Sequence, residues 1–412
     1  MITIDIHTLI ICGILLLLAL LTPLVSPFFR KKRIMALLRE DSEPADSTEE
    51  EQTELKPMTI IITTHDNAAD LERNLPKFLH QDYPAGFRVI VVADKTDSET
   101  VDVLKRFSES QSAPRETAIE GSESIKLSAV NAQLYYILLP SSSRYMSRKK
   151  LGVTLGVKAA KTDWVLLTDP FCHPATDQWL KIMASRAKED KNLIIGYTSY
   201  DDHFSKFMRF ERLYTAFYLM RQALKGVAYR TESNCLMFRK REFLDHEGYK
   251  GSLELIRGEY DFIVNKYAKD NGTTLVLSPD AWMIEDEPTK KAWRNKHLFA
   301  IASRPKLQRK QGLRALYVLD QTALHGMLWI LIAAMVVFGC MQQWLGLGIA
   351  AFALILNIIL NTIVCHSAIK FFDDGLPAFN LYFYQLRILW LRQAMRMRFW
   401  RANKLDFTTH KQ

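Results

Sequence analysis

The chain has 412 residues, 54 Lys plus Arg against 45 Asp plus Glu for a net charge of +9, and 48% apolar residues. This composition excludes a fully disordered chain, a collagen-like repeat and a small disulfide scaffold, and the length suits two or three domains. The mean hydropathy of -0.06 averages very oily and very polar stretches, so a membrane protein stays open. The five cysteines show no CxxC or Cys/His ligand spacing, which argues against a structural zinc site and a disulfide framework.

Thr8 to Val25 is nearly continuous Leu, Ile and Ala. It falls within the roughly 17–25 apolar residues that a spanning helix needs. No basic stretch precedes it, and no small-residue cleavage site lies before Arg30-Lys-Lys-Arg33, so it does not read as a cleaved signal peptide. That basic cluster holds this end of the segment in the cytoplasm and puts the N-terminus outside. Glu40 to Glu54 carries eight acids and no base, and reads as a solvated linker.

The middle of the chain alternates strand and helix patterns. Met58 to Thr64 is a β-branched strand, and residues 68–80 place Leu71, Leu75, Phe78 and Leu79 on one helical face. Phe87 to Ala93 is a second strand, Val101 to Phe107 opens a second helix, and Tyr135 to Leu139 is a third strand. Leu151 to Lys161 is a helix, and Trp164 to Thr168 is a fourth strand, ending at Asp169. The alternation predicts an α/β fold with a doubly wound, mostly parallel sheet. Ligands bind such sheets at the carboxyl ends of the strands, which here carry Thr63, Thr64, His65, Asp94 and Asp169. There is no GxGxxG or GKS/T loop, which disfavours a dinucleotide site and a P-loop.

Two further oily segments follow, Ala323 to Cys340 and Leu345 to Cys365, joined by an uncharged connector. Arg304, Lys306, Arg309, Lys310 and Arg314 precede the pair, and Lys370 follows it. All three segments agree on one topology: a multi-pass protein of the inner (cell) membrane, N-terminus out, middle domain and C-terminus in the cytoplasm. The tail Leu376–Trp400 mixes aromatics with Arg387, Arg392, Arg396 and Arg398. It reads as an interfacial helix at the cytoplasmic lipid face or as a helix packed on the soluble domain.

The segments Ile60-Ile-Ile-Thr-Thr-His65, Asn74 to Pro84, Val89-Ile-Val-Val-Ala-Asp94, Lys149-Lys150 with Leu155 to Ala160, Leu166-Leu-Thr-Asp169, Trp179-Leu180, Asn234 and Gly258-Glu259 with Asp261 share an order and spacing. In these the chain resembles the family-2 glycosyltransferases of GT-A fold, in their membrane-anchored bacterial form, over about Met58 to Ser303. The resemblance implies transfer of a sugar from a nucleotide-sugar, a UDP-sugar first among donors, to a lipid-linked or glycan acceptor in cell-envelope glycan chemistry. It implies donor contacts from Thr64, His65, Asp94, Lys150 and Asp169, with Lys149 and Lys150 near the diphosphate. It implies a base among Glu259 and Asp261, and an acceptor or phosphate region at Asn234, Trp293, Arg294 and Lys296. Asp94 and Asp169 are expected at adjacent strand ends.

Two departures touch the chemistry. The family's DxD reads Asp169-Pro170-Phe171, so a phenylalanine stands where a metal ligand is expected. Magnesium or manganese is therefore a weakened cofactor, with Asp169 the remaining carboxylate and His173 either a replacement ligand or an ordinary loop histidine. The family's Gly-Glu-Asp reads Gly258-Glu259-Tyr260, and a tyrosine of ordinary pKa about 10 is a poor base at neutral pH. The late Gln-x-x-Arg-Trp motif is reduced to Gln311-Gly-Leu-Arg314 before Ala315. Each residue also has a plain structural role: turn caps for Asp94 and Asp169, helix N-terminal acids for Glu259 and Asp261, packing for Trp179 and Trp293.

These features set an inverting glycosyltransferase against a degenerate relative that binds nucleotide or a partner without transfer. A nucleic-acid module is disfavoured, because the basic residues crowd beside the oily segments, where anionic lipid accounts for them. The expected organisation is an anchor at 1–29, a basic flank and acidic linker at 30–56, a glycosyltransferase-like domain at 57–305, a transmembrane hairpin at 306–370 and a basic aromatic tail at 371–412. A reporter fused after Gln412 is expected to be active only on the cytoplasmic side; activity only outside overturns the topology.

Overall fold

Met58-Thr-Ile-Ile-Ile-Thr63 forms β1, and all six residues are buried. A continuous β-branched run of this kind fits a strand covered on both faces. The computed structural model describes residues 6–42, 55–112, 132–140, 147–309, 314–373 and 375–408. The acidic stretch 43–54 and Gln311 of the late motif lie outside the described residues.

The other strands are β2 (Phe87–Asp94), β3 (Ala132–Leu139), β4 (Trp164–Thr168), β5 (Cys172–Pro174), β6 (Leu193–Gly196), β7 (Thr198–Tyr200), β8 (Leu236–Arg239), β9 (Thr273–Val276) and β10 (Met283–Glu285). The helices are α1 (Ile6–Leu21), α2 (Lys32–Ser42), α3 (Ala68–Leu79), α4 (Ser98–Ser112), α5 (Arg148–Ala159), α6 (Trp179–Ser185), α7 (Lys206–Ala223), α8 (Lys240–Asp245), α9 (Glu259–Tyr267), α10 (Lys290–Ser303), α11 (Arg314–Cys340), α12 (Trp344–Ile369) and α13 (Leu381–Arg401).

The chain divides into two compact units. One comprises Leu37–Phe204, Gln222–Lys310 and Arg396–Gln412. Its seven-stranded sheet runs β3-β2-β1-β4-β8-β6-β9 and is parallel except for β8, which is antiparallel to both its neighbours. This is the mostly parallel α/β sheet that the alternation predicts. A small second sheet, β5-β10-β7, carries His173, Tyr200 and Glu285. One face of the large sheet packs on α3 and α6, where Phe78 and Trp179 meet edge to face at 5.7 Å. Trp179 is thus a packing residue in this structure.

Helix α5 lies across β1. Two glycines allow the approach: a Cβ on Gly152 would meet Thr63 Cγ2 at 3.1 Å, and one on Gly156 would meet Ile61 Cγ2 at 2.7 Å. The helix begins at Arg148, three residues before its predicted start, because Ser147 Oγ accepts from the backbone N–H of Lys150 and caps the first turn.

The second unit comprises Met1–Ala36, Ser205–Arg221 and Gln311–Met395. It holds three stretches long and apolar enough to cross a membrane: Ile6–Val25, Ala315–Cys340 and Trp344–Ile369. Helices α1 and α12 run parallel. Thr8 meets Gln343 at one end, Asn357 Nδ2 donates to Ala19 O at 3.1 Å midway, and Lys31 Nζ donates to Ser367 O at 2.7 Å at the other end. Small residues let the helices close up, with Ala19, Ala350 and Ala353 fully buried. The second stretch starts eight residues before its predicted start. Asp320 breaks the apolar pattern there, yet it is buried and accepts from Tyr214 Oη at 2.6 Å.

Helix α13 joins this unit through its aromatic and basic residues. Tyr384 packs on Phe207 and Phe210 of α7, and the Arg387 guanidinium lies over Phe207 at 4.0 Å. Phe383 and Trp390 of α13 remain exposed, as does Phe379 just before it.

Gly156→Val is expected to lower stability by about 1–3 kcal/mol, because the branched side chain cannot fit between α5 and Ile61. Thermal melting in detergent checks this; an unchanged melting temperature would mean the α5–β1 approach is looser than described.

Candidate functional site

The carboxyl ends of β2, β1 and β4 line up in that order and present Asp94, then Thr64 and His65, then Asp169. Asp94 and Asp169 are therefore not at adjacent strand ends: β1 lies between them. The two strand ends are two inter-strand spacings apart, about 10 Å. Thr64 is buried between them, and its hydroxyl has no hydrogen-bond partner among the described residues.

Asp94 is 2% exposed. Its Oδ1 accepts from Thr96 N at 3.1 Å and Thr96 Oγ1 at 2.8 Å, as a turn cap does, and its Oδ2 forms an ion pair with Arg148. His65 Nδ1 lies 3.5 Å from the same Oδ2, on a half-exposed ring. Burial alone would raise the Asp94 pKa, but the Thr96 bonds and Arg148 outweigh it and hold the carboxyl below its usual range.

Asp169 is 1% exposed and fully engaged. Lys149 Nζ is 2.5 Å from Oδ1, while Asn234 Nδ2 and Tyr260 Oη donate to Oδ2 at 2.8 and 3.0 Å. Here too burial opposes ionisation, and Lys149, Asn234 and Tyr260 outweigh it, so the carboxyl titrates low. Burial and the adjacent Asp169 push the Tyr260 phenol well above 10, so it is a neutral donor. Lys149 Nζ also lies over the Tyr260 ring at 5.3 Å.

Arg148 and Lys149 are consecutive residues in the first turn of α5, one on each carboxylate. Cations at a helix N-terminus oppose the macrodipole. The two buried carboxylates supply the compensation. Arg148 is the site residue that the sequence reading missed. Its signal was the run Arg148-Lys-Lys150 at a capped helix start, where acids are the usual occupants.

Lys150 requires a correction. It is fully buried and turned away from both carboxylates: its Nζ donates to Ser252 O at 2.5 Å and Leu255 O at 2.8 Å and lies over the Phe262 ring. Burial lowers its pKa to about 8. It pins the 252–255 loop, and of the two lysines expected near the diphosphate it is Lys149 that meets Asp169.

The acids of α9 also differ from expectation, because it is Tyr260 that touches Asp169. Glu259 is buried, with one oxygen accepting from Gly258 N at 3.2 Å and Oε1 unpartnered among the described residues. Asp261 faces Arg230, 3.9 Å away, and accepts from Thr231 N at 3.3 Å. Arg230 is held closer by Glu232, at 2.6 Å. Burial, with Glu232 adding to it, raises the Asp261 pKa to about 6 despite Arg230.

Among the described residues, Trp293, Arg294 and Lys296 make no hydrogen bond or ion pair with Asp94 or Asp169. Trp293 is buried, with His297 edge-on at 4.5 Å, Arg294 is half-buried, and Lys296 pairs with Glu285 at 3.1 Å. Of the four residues expected to form an acceptor or phosphate region, only Asn234 touches Asp169.

The residues present do not fit a divalent metal. The Asp169 carboxylate already holds an ammonium, an amide and a phenol. Phe171 packs against the core. His173 Nδ1 is 3.2 Å from Asp286, whose other oxygen accepts from Arg73 and Asn74 at 2.6 and 2.7 Å. Among the described residues no group of three His, Cys, Asp or Glu side chains could hold a metal ion.

No family model matches the chain, and no curated protein matches it. Solved structures do. A mannosyltransferase, PcManGT from Pyrobaculum calidifontis in complex with GDP-Man and Mn2+, aligns over 93% of this chain and 99% of its own, with a TM-score of 0.50 and 13% identity. TarS 1-349 of S. aureus in complex with UDP-GlcNAc aligns over 83% and 92%, with a TM-score of 0.41 and 12% identity. The fold is of the glycosyltransferase kind.

Asp261 yields a signed pH dependence. Its folded pKa of about 6 lies above the unfolded value, so the native state holds the extra proton and loses stability as pH rises from about 4 to about 6. Asp261→Asn, which stays neutral, is expected to be more stable than the parent above pH about 6 and to lose that advantage below about 4. Melting curves across this range check it; an advantage that grows towards acid overturns the assignment.

Proposed function

We propose that the chain is a membrane-bound, inverting glycosyltransferase that moves a sugar from a nucleotide-sugar to a lipid-linked or glycan acceptor at the cytoplasmic face of the membrane. One observation carries the reading. Two ionised carboxylates at the carboxyl ends of β2 and β4 flank the N-terminus of α5, and each is closed by one of two consecutive cations. In this reading Asp94, with the half-exposed His65 beside it, meets the nucleoside's hydrogen-bond donors, while Asp169 positions Lys149. The diphosphate approaches the first turn of α5, where backbone N–H groups and two cations converge. Arg148 and Lys149 then stabilise the charge that develops on the departing nucleoside diphosphate, the work a metal would otherwise do.

Base assignment follows protonation. Tyr260 is kept neutral as a donor, which suits orientation of Asp169. Asp261, with a pKa near 6, and Glu259, with an unpartnered oxygen, are the carboxylates of α9 able to accept the acceptor hydroxyl's proton. A second reading, nucleotide binding without transfer, is favoured by the Tyr260–Asp169 contact, because a phenol stands where the resembling family has its base.

Titration of purified protein with UDP- and GDP-sugars, with and without magnesium or manganese, separates the readings. Turnover without added metal supports the transferase; saturable binding with no product supports the degenerate relative; no binding of any nucleotide-sugar overturns both. Lys149→Gln is expected to weaken donor binding by about ten- to hundred-fold, the value of a charge-assisted contact. Phe171→Asp is expected to make donor binding respond to manganese by calorimetry, and a parent protein that already binds manganese tightly would overturn the lysine's role.

A further inference from the structure

Outside this site, four cations stand near one another, and Asp320 is the acid that acts on Arg221 through space. Phe28 packs on Phe217 of α7 at 5.0 Å, and Phe217 packs on Phe372 at 5.4 Å. Each ring lies within one turn of a cation in sequence: Arg30 and Lys31 beside Phe28, Arg221 four residues after Phe217, and Lys370 two residues before Phe372. The ring cluster therefore draws three separate segments, and their charges, to one end of the apolar helices. Lys31 confirms the convergence, since its Nζ also donates to Ser367, three residues from Lys370.

None of the four makes an ion pair among the described residues. Arg221 is buried, 7% exposed, and its Nε has no hydrogen-bond partner there. Lys31 is half-buried, while Arg30 and Lys370 are exposed. The acids nearby are occupied: Asp373 is held by Arg209 Nε at 2.8 Å and Nη2 at 2.5 Å, and Asp320 accepts from Tyr214 and Gln321. Like charges suppress one another here. Burial, then Lys370, lowers the Lys31 pKa, and burial, then Arg30, lowers that of Arg221. A buried guanidinium with an open donor, rimmed by three more cations, is a site built for an anion.

The geometry points to a binding site for the phosphate of an anionic lipid headgroup, formed by Arg30, Lys31, Arg221 and Lys370 at the charged end of the three apolar helices. Lipid is the source because Arg30 and Lys370 directly follow apolar helices of spanning length, where a headgroup lies level with the helix ends. Arg221 would take the phosphate oxygens from the protein side, and the exposed pair would hold it from the rim. The site rests on the membrane reading of these helices and is independent of sugar transfer.

Purified full-length protein in detergent is titrated with short-chain phosphatidic acid, short-chain phosphatidylcholine and inorganic phosphate, read by native mass spectrometry. Phosphatidic acid is expected to bind in preference to phosphatidylcholine. The double variant Arg30→Gln/Lys370→Gln, both positions exposed, is expected to lose about thirty-fold in phosphatidic acid affinity. Arg30→Lys/Lys370→Arg is expected to keep it. Arg221→Gln, checked for an unchanged melting temperature, is expected to weaken it further. Equal binding by the glutamine double variant overturns the site, and competition by inorganic phosphate at matched concentration overturns the lipid source. Alkaline extraction of membranes reads integration separately: a chain that stays in the bilayer while ignoring the headgroup overturns the site alone.

Discussion

Two carboxylates buried at strand ends cannot stay ionised alone, and the start of α5 is arranged around that constraint. Desolvating a charge costs several kcal/mol unless a partner and hydrogen bonds replace water. Asp94 and Asp169 obtain theirs from adjacent residues of one helix, Arg148 and Lys149. The helix can deliver both only because Gly152 and Gly156 let it lie close on β1, between the two strand ends. Ser147 caps the first turn, and Lys150 ties the same turn to the 252–255 loop. Backbone, cap and charge thus fix one another.

The same arrangement bears on what the cleft can do. A cation that already sits on Asp169 competes with any ion that would bind there. A phenol on the other oxygen sets the orientation of that carboxylate without supplying a base. In the proposed reaction proton transfer falls to Glu259 or Asp261, whose hydrogen bonds go to Gly258 and Thr231 and not to Asp169. Arg230 and Glu232 form a tight pair beside Asp261; burial sets how much of that carboxyl is charged near neutral pH, with Arg230 and Glu232 pulling in opposite directions.

In the apolar unit, α7 plays the part that the small glycines play in α5. Phe207, Phe210, Tyr214 and Phe217 place aromatic rings against Phe28, Phe372 and Tyr384, so a helix with no apolar stripe is held by ring contacts on several sides. Two of its polar residues are paired, as Tyr214 meets Asp320 and Arg209 meets Asp373, while Arg221 keeps an open Nε.

Periodicity and composition made much legible: the four parallel strands, the helices between them, the three oily segments, and the carboxylates at strand ends. These are local properties, carried by β-branched runs, 3.6-residue spacing and unbroken apolar length. Helix α7 was not legible, because its rings spread around the whole circumference, and the early start of α11 was hidden by Asp320, whose partner lies 106 residues away. The short strands β5, β7 and β10 are three residues each, too brief to show a period. Which of three consecutive cations meets a carboxylate is set by a cap and by about 100° of rotation per residue, so Lys149 and Lys150 looked equivalent until the helix was placed. Sequence alone determined which groups exist and which local elements hold them. Tertiary structure decided which charges face one another, because that depends on strand order and on the packing of glycines and rings distant in the chain.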